Sequence, residues 1–124
     1  MIILDTWAWI EFLKGSEKGE KIKSIIENNE IYTSAISIAE ISKWVDQNKL
    51  EVNERIEKIK QNSKIIYLEE TTLIESGKKY NELRKIKKNI GLIDVIIYTT
   101  SLLYNLILVT NDEDFSNLPN VQRI

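Results

Sequence analysis

Short apolar runs alternate with amphipathic helical patterns along the chain, and this alternation constrains the fold more than any other feature. Residues 2–4 and 106–109 contain only Ile, Leu and Val, which is typical of strands buried on both faces. The predicted strands are Ile2–Leu4, Ile31–Thr33, Lys64–Leu68 and Leu106–Val109, with Val121–Ile124 as a candidate fifth strand. The predicted helices are Thr6–Lys14, Glu17–Asn28, Ile36–Asp46, Val52–Asn62, Thr71–Lys88 and Leu92–Tyr104.

Strands that alternate with helices pair in parallel, and the helices cover both faces of the sheet. The 124 residues include one Pro and four Gly, with no linker-like or repeated segment. We therefore predict an α/β fold, with one domain over residues 1–124 and a parallel sheet of four to five strands. Ligands bind beyond the carboxyl ends of the strands in such sheets, so functional residues should follow the first and fourth strands or lie near the starts of helices that follow strands.

The chain contains neither His nor Cys. This excludes Ser-His-Asp and Cys-His nucleophiles, thiol redox centres, disulfides and His/Cys zinc sites. Acid–base or metal chemistry must therefore rely mainly on carboxylates. The formal net charge of −2 gives no general attraction for nucleic acid. No apolar run approaches the roughly 20 residues of a membrane span, and Met1–Asp5 lacks the basic region of a signal peptide. We expect a cytoplasmic protein with no membrane partner.

Four of the five Asp residues lie where the sheet rule predicts functional groups. Asp5 ends the first predicted strand, and Asp94 lies in the first turn of the most apolar helix. Asp112 and Asp114 follow the fourth strand, whereas Asp46 lies at the polar end of a helix. Each position also has a structural explanation, because Asp is common at helix N-caps, in first turns and in tight turns. For Asp94 burial favours function, since an unpaired buried carboxylate costs several kcal/mol or shifts its pKa.

Two further features extend the candidate site. At about 100° per residue, Asp94, Tyr98 and Ser101 share a narrow stripe, which we expect to line a polar pocket. Glu40 follows the second strand in an otherwise uncharged segment, although a half-exposed helical Glu would look the same. Four carboxylates at one site repel each other and require a cation. Oxygen ligands favour Mg²⁺ or Mn²⁺, and such a site can activate water against a phosphodiester.

Four ordered segments resemble the motifs of the PIN domain family, and within it the small VapC-type ribonuclease toxins of prokaryotic toxin–antitoxin pairs. They are residues 3–13 (ILDTWAWIEFL), 33–41 (TSAISIAEI), 91–94 (GLID) and 108–115 (LVTNDEDF). The resemblance implies a three-layer α/β/α fold with a five-stranded parallel sheet. It implies a Mg²⁺-dependent endoribonuclease selective for single strands, in which metal-activated water leaves 5′-phosphate and 3′-hydroxyl ends. It also implies homodimers and a small antitoxin that occludes the acidic groove.

The resemblance also assigns roles to individual residues by their positions in the motifs. The expected metal-binding and catalytic acids are Asp5, Glu40, Asp94 and Asp112, with Asp114 expected to support its loop or share in metal binding. The polar groups expected beside these ligands are Thr6, Thr110 and Asn111.

A basic segment precedes the third acid and supplies the local positive charge that binding to RNA requires. Residues 78–88 contain a single acid, Glu82, and six cations: Lys78, Lys79, Arg84, Lys85, Lys87 and Lys88. We predict that they contact RNA phosphates, which would make binding dependent on salt. Cations near a helix C-terminus also suit the helix dipole, so a purely structural role stays open.

The three Trp residues are more typical of cores and interfaces than of base-stacking surfaces. Trp7 and Trp9 are two positions apart and cannot share a helix face. One is expected to face the sheet, and the other is expected to mark a surface for a partner protein.

Other functions stay open from the sequence. A catalytically inactive PIN-fold module would act only by binding proteins, and a housekeeping PIN nuclease would process cellular RNA. Phosphoryl-transfer proteins of the receiver and haloacid dehalogenase types also have an Asp after the first strand. The receiver type needs an acidic pair there, and the dehalogenase type needs a second Asp where this chain has Trp7. The identity of the RNA is not encoded in these motifs.

Overall fold

The computed structural model describes residues 1–124 and contains five strands and six α-helices. The strands are β1 (Ile2–Leu4), β2 (Ile31–Ser34), β3 (Lys64–Ile66), β4 (Ile107–Thr110) and β5 (Val121–Arg123). The helices are α1 (Thr6–Lys14), α2 (Glu17–Asn28), α3 (Ala35–Gln47), α4 (Val52–Asn62), α5 (Glu70–Arg84) and α6 (Leu92–Leu103). All strand pairs are parallel, in the order β3-β2-β1-β4-β5. The predicted parallel sheet is confirmed with its fifth strand.

Helices cover the sheet on both faces. Ile2 and Leu4 of β1 contribute to one core cluster, which includes Trp9 and other buried residues of α1 to α4. Ile3 contributes to a second cluster formed with α5, α6 and the chain after β4. Because alternate residues of a strand point to opposite faces, one apolar triplet serves both cores. The predicted three-layer α/β/α architecture is confirmed.

The first two helices form a tight hairpin beside the end of β1. Helix α1 ends at Gly15, whose φ of 66° lies in the left-handed region that glycine adopts without strain. Gly19 in the first turns of α2 lies so close to α1 that a Cβ atom would be 2.1 Å from the Glu11 carbonyl oxygen. The close approach packs the start of α2 against the second half of α1.

Helix α6 is buried along most of its length, as its sequence predicts. Every residue from Val95 to Ser101 is buried. The hydroxyl of Thr100 donates to the Ile96 carbonyl at 2.8 Å, which satisfies a polar group inside the core. No helix of the structure is both long and apolar enough to cross a membrane.

The predictions for α5 were wrong in two respects. The helix ends at Arg84 and not at Lys88, and in the turn that follows the Ile86 and Lys87 N–H groups share the Leu83 carbonyl, at 3.0 and 2.7 Å. Of the five apolar side chains expected to face inward, Leu83 is buried and Tyr80 half-buried as predicted, whereas three are exposed: Leu73 (43%), Ile74 (53%) and Ile86 (76%). Beside Leu83, the buried face consists of Thr72 and Ser76. Small side chains allow α5 to approach α6 closely, and Ser76 satisfies its hydroxyl by donating to the Thr72 carbonyl at 2.6 Å.

Two strand boundaries also differ from prediction. β3 ends at Ile66 because its partner there, Ser34, is the last residue of β2, so Tyr67 has no strand to pair with. β4 begins one residue late because the Leu106 N–H closes the turn after α6 by donating to the Ser101 carbonyl at 2.8 Å. Its pairing continues to Thr110, opposite Arg123.

Candidate active site

A cavity of about 290 Å³ lies beyond the carboxyl ends of β1 and β4, where the sheet rule predicts a ligand site. These two strands are neighbours in the sheet, and the chain runs from β1 towards β2 and β3 on one side and from β4 towards β5 on the other. The residues that line the cavity are Asp5, Trp7, Asp94, Asn111 and Asp112. The structure therefore brings together three of the four predicted acids in one concave surface.

Asp5 is buried at the junction of β1 and α1. Its Oδ1 atom accepts a hydrogen bond from the Ala8 N–H at 2.8 Å, which caps α1. The pKa of Asp5 is raised from 3.8 to about 7, mainly by burial; hydrogen bonds from Thr110 and Ala8 oppose this rise, and the charges of Asp94 and Asp112 contribute to it. The Asp5 carboxylate thus caps a helix, and its ionised form is unfavourable because it is buried at the cavity.

Asp94 lies in the first turn of α6 and is half-buried. Its pKa is raised from 3.8 to about 6, mainly by burial and also by the negative charges of Glu40, Asp112 and Asp114. The amino end of a helix favours a carboxylate there, and α6 has no side-chain cap of its own. The negative charges that contribute to this rise come from α3 and from the segment after β4, so Asp94 lies near acids from two other parts of the chain.

Glu40 reaches this cluster from α3 and is held by two hydroxyl groups. Thr6 Oγ1 lies 2.5 Å from Glu40 Oε1 and 3.1 Å from Ser37 Oγ, and Ser37 is fully buried. A carboxylate only accepts hydrogen bonds, and Thr6 has one proton. Thr6 therefore donates to Glu40, which leaves Ser37 as the donor to Thr6. The predicted place of Thr6 beside an acid agrees with this geometry, whereas Ser37 was missed, although it lies on the same helix face three residues before Glu40.

The segment after β4 is organised by its own polar side chains. Asp112 Oδ1 accepts from the Asp114 N–H at 2.9 Å, and Thr110 Oγ1 accepts from the Asp112 N–H at 3.1 Å. These bonds make the turn that the sequence also allowed, and they direct Asn111 and Asp112 to the cavity. Asp114 is half-buried outside the lining and acts on Asp94 through its charge.

These five carboxylates, Asp5, Glu40, Asp94, Asp112 and Asp114, form a cluster without a cationic partner. None of them forms an ion pair with a Lys or Arg side chain. As the side chains stand, no three of them converge into a complete ligand set. The donor chemistry nevertheless fits a hard divalent cation, because every donor is a carboxylate oxygen and no Lys or Arg balances the negative charges, which add to the rise that burial causes in the pKa of Asp5 and Asp94.

The expected polar stripe on α6 was wrong beyond Asp94. The Tyr98 hydroxyl donates to the Pro119 carbonyl at 3.1 Å, and its ring lies 5.5 Å from that of Phe115. The Ser101 hydroxyl donates to the Tyr98 carbonyl at 2.5 Å. Both hydroxyls are satisfied by backbone groups inside the second core and do not line a pocket.

The basic segment divides into two parts in the structure. Lys78 and Lys79 lie on α5 and pair with Glu75 and Glu82 at 3.2 and 3.5 Å, so their charges are partly balanced. The other four cations lie at the end of α5 or in the loop before α6, and none of them forms an ion pair: Arg84, Lys85, Lys87 and Lys88. This loop leads to the first turn of α6, which carries Asp94.

The cavity wall contains one residue that the sequence did not assign to the site, Trp7. Trp9 is fully buried in the first core, as expected for one of the pair. Two larger clefts, of about 540 and 420 Å³, lie between the α1–α2 hairpin and α4. Their linings mix Lys and Glu side chains and hold no buried titratable group, so we regard the smaller acidic cavity as the chemical site.

The sequence profile of the PIN domain family matches residues 2–121. The chain belongs to the PIN domain family. Its relatives include Ribonuclease VapC1 from Haemophilus influenzae strain R2866, which is 28% identical over 125 residues that span 97% of this chain and 93% of the relative.

Solved structures with the same fold include toxin–antitoxin complexes. A toxin–antitoxin complex from Klebsiella pneumoniae superposes with a TM-score of 0.77 at 23% identity, covering 100% of both chains. VapBC2 from Rickettsia felis, bound to a DNA fragment from its promoter, gives a TM-score of 0.75 at 24% identity, covering 99% of this chain and 98% of the other. DNA-bound VapBC from Salmonella typhimurium gives 0.78 at 20% identity, covering 99% and 96%.

Proposed function

We propose that this chain is a divalent-metal-dependent endoribonuclease that acts as the toxin of a toxin–antitoxin pair. The observation that carries the proposal is the cluster of carboxylates, which come from four separate segments, repel one another and lack a cationic partner. Membership of the PIN domain family and the similarity to Ribonuclease VapC1 support it. A cluster of this kind costs stability in the absence of a cation, and the helix cap of Asp5 and the turn of Asp112 do not account for its other members.

Each acid has a proposed role. Asp5, Glu40, Asp94 and Asp112 would hold Mg²⁺ or Mn²⁺, and Asp114 would support the loop of Asp112. The bound ion would supply charge neutralisation at the phosphodiester and a water of lowered pKa. Thr6 would fix Glu40, Thr110 would lower the pKa of Asp5, and Asn111 would contact the substrate from the wall of the cavity.

RNA would approach across the loop between α5 and α6. Lys85, Lys87 and Lys88 offer unpaired positive charge there for phosphate groups, and Arg84 lies at the end of α5. Lys78 and Lys79 would contribute less, because Glu75 and Glu82 already balance them. Such contacts position the strand but do not read its sequence.

An antitoxin partner is part of the same proposal, because the structural neighbours include toxin–antitoxin complexes. A homodimer would cover the apolar side chains that α5 and α6 leave exposed, among them Leu73, Ile74 and Leu103, which are 43–53% exposed. The proposed setting is the cytoplasm, where RNA and a co-translated antitoxin would both be present.

The proposal is tested by incubating the purified chain with structured and unstructured RNA in Mg²⁺, in Mn²⁺ and in EDTA. We expect cleavage in either metal and none in EDTA, with 5′-phosphate ends on the products. Isothermal titration should show binding of Mn²⁺ by the RNA-free protein. Cleavage that persists in EDTA, or a protein that binds no divalent metal and cleaves no RNA, would contradict the proposal.

Replacement of Thr6 by valine should lower the rate of RNA cleavage by roughly 10- to 100-fold, the usual cost of losing a hydrogen-bonding partner of a metal ligand. Valine keeps the shape of threonine but removes the hydroxyl that donates to Glu40. The measurement is the cleavage rate as a function of Mg²⁺ concentration, and the half-saturating concentration should rise. Thr6→Ser retains the hydroxyl and should stay within a few-fold of the wild type. Equal rates for Thr6→Val and the wild type would show that Glu40 needs no such support.

A further inference from the structure

Trp7 forms an aromatic wall beside the acidic cavity. It is the second residue of α1, two positions after Asp5, and part of the side chain packs against the first core. The rest borders the cavity together with Asp5, Asp94, Asn111 and Asp112, and Trp7 is the one apolar residue of that lining. An indole is thus fixed next to the carboxylates and kept partly open.

A lysine lies over this ring. Lys18 at the start of α2 has its Nζ atom 5.7 Å from the centroid of the Trp7 ring and 3.5 Å from Asn111 Oδ1. Lys18 is exposed and forms no ion pair with a carboxylate. The close packing of Gly19 on α1 holds this part of α2 in place. A free positive charge is therefore positioned at the rim of a negatively charged cavity.

The three groups at this rim complement the three parts of a nucleotide. The aromatic face suits a base, the free cation suits a phosphate, and the amide suits a base edge or a sugar. A base can stack on the indole whatever its identity, because every base has a π-face. The Lys18 ammonium can leave the ring to pair with a phosphate group, which frees the indole face for a base. This replacement is favourable because an exposed cation–π contact is weaker than base stacking. The Asn111 amide can hydrogen-bond to a base edge or a sugar hydroxyl.

We propose that Trp7, Lys18 and Asn111 form a nucleotide-binding subsite that holds one unpaired base next to the phosphodiester that is cleaved. This inference rests on the proposed function and names the part of the chain that would select unpaired RNA. A paired base cannot reach the ring without leaving its helix, so the subsite discriminates against duplex RNA. Stacking tolerates all four bases, so it adds affinity and position and not sequence specificity.

A protein segment is the other class of occupant for this surface. An apolar peptide side chain would need a broad apolar surface, but the cavity lining offers Trp7 alone among polar and acidic groups. The unpaired Lys18 also favours an anionic ligand. Both observations favour RNA over a peptide at this position.

The test compares Trp7→Phe, which keeps an aromatic ring, with Trp7→Leu, which keeps apolar bulk for the core without one. Both are made in an Asp94→Asn background, so that RNA is not consumed, and binding of a fluorescent unstructured oligoribonucleotide is followed by anisotropy. A second oligonucleotide has the same phosphodiester backbone with abasic sites. Trp44→Phe, a half-buried Trp of α3 outside the cavity, is the matched control.

We expect Trp7→Leu to weaken binding of the normal RNA by at least about fivefold, the lower end of the usual effect of losing a stacked base. Trp7→Phe and Trp44→Phe should change it by less than about threefold, and none of the three should alter binding of the abasic oligonucleotide. Lys18→Gln should weaken both RNAs alike and reduce the magnitude of the salt dependence by about one counterion.

Three results would overturn the inference, and they can be told apart. If wild-type protein cleaves RNA but Trp7→Leu binds it as tightly as Trp7→Phe, the subsite is wrong and the proposed function stands. This also holds if Trp7→Leu keeps its affinity for RNA but loses association with the product of an adjacent antitoxin gene, since the ring would then belong to a protein interface. If the wild type neither binds nor cleaves RNA, the proposed function and the subsite both fail.

Discussion

Substitution of Asp94 by asparagine is expected to lower the rate of RNA cleavage by about 100-fold or more while leaving the chain as stable as before or more so. Loss of a group that merely supports a metal ligand costs 10- to 100-fold, so loss of a ligand should reach at least the upper end of that range. Stability should not fall, because asparagine removes a half-buried charge that is repelled by Glu40, Asp112 and Asp114. The two effects together separate a functional carboxylate from a structural one.

The measurement combines cleavage kinetics in saturating Mg²⁺ with thermal unfolding in EDTA. Asp5→Asn should behave in the same way, because the asparagine Oδ1 can still accept the Ala8 N–H and cap α1. Asp46→Asn is the matched control, since Asp46 is the one Asp outside the cluster and lies exposed on α3. Full activity of both Asp5→Asn and Asp94→Asn would end the assignment of these acids, and a shared loss of folding would reassign them to structure.

The stability of the metal-free chain is expected to fall as the pH rises from about 4 to about 7. The folded chain keeps a proton on Asp5 up to a pKa of about 7, whereas the unfolded chain releases it near 3.8. Between these values the folded state binds more protons, so each increase in pH favours unfolding. Asp94, with a pKa of about 6, adds to the loss. For Asp5 alone, the integrated change is on the order of 2–4 kcal/mol.

Urea unfolding at a series of pH values in EDTA measures this dependence. Asp5→Asn should flatten most of the slope between pH 5 and pH 7. Glu30, whose pKa is lowered by the Tyr32 hydroxyl and Lys64, acts with the opposite sign but below this range. Addition of Mg²⁺ at pH 8 should restore stability, because the ion binds only the ionised carboxylates of the folded state. A stability that rises between pH 5 and pH 7 in EDTA would contradict the charges assigned to the cavity.

The sheet and the central helix could be predicted because their sequences leave few alternatives. Residues 2–4 and 106–109 are all apolar, so neither run has a polar side chain that could face solvent. Both were therefore predicted as buried strands. Helix α6 is apolar on most faces and could only lie inside. Helix α5 was misread because its inward face carries Thr72 and Ser76, whose value lies in their size and not in their hydrophobicity. A pattern of apolar residues cannot show which of two helix faces allows the closer approach.

The site could be predicted as far as strand ends determine it. Asp5 and Asp112 meet at one cavity because each follows one of two neighbouring strands, and Asp94 joins them from the first turn of α6. Glu40 rested on the resemblance to a family, because one Glu on a helix has no local signal that sets it apart. Trp7 and Ser37 were missed, yet both stand at short spacings from the predicted acids, on faces that a helical projection would have shown.

The pairing of β1 with β4 also determines when this site can exist. Ile3 lies opposite Leu108, so the two strands that hold the cavity are separated by almost the whole length of the chain. Contacts between such distant segments form late and slowly in folding. A growing chain on the ribosome holds Asp5 and Glu40 long before Asp112 has been made, and it therefore carries no assembled acid cluster. Synthesis itself would delay the activity of the proposed nuclease until β4 has emerged and paired with β1.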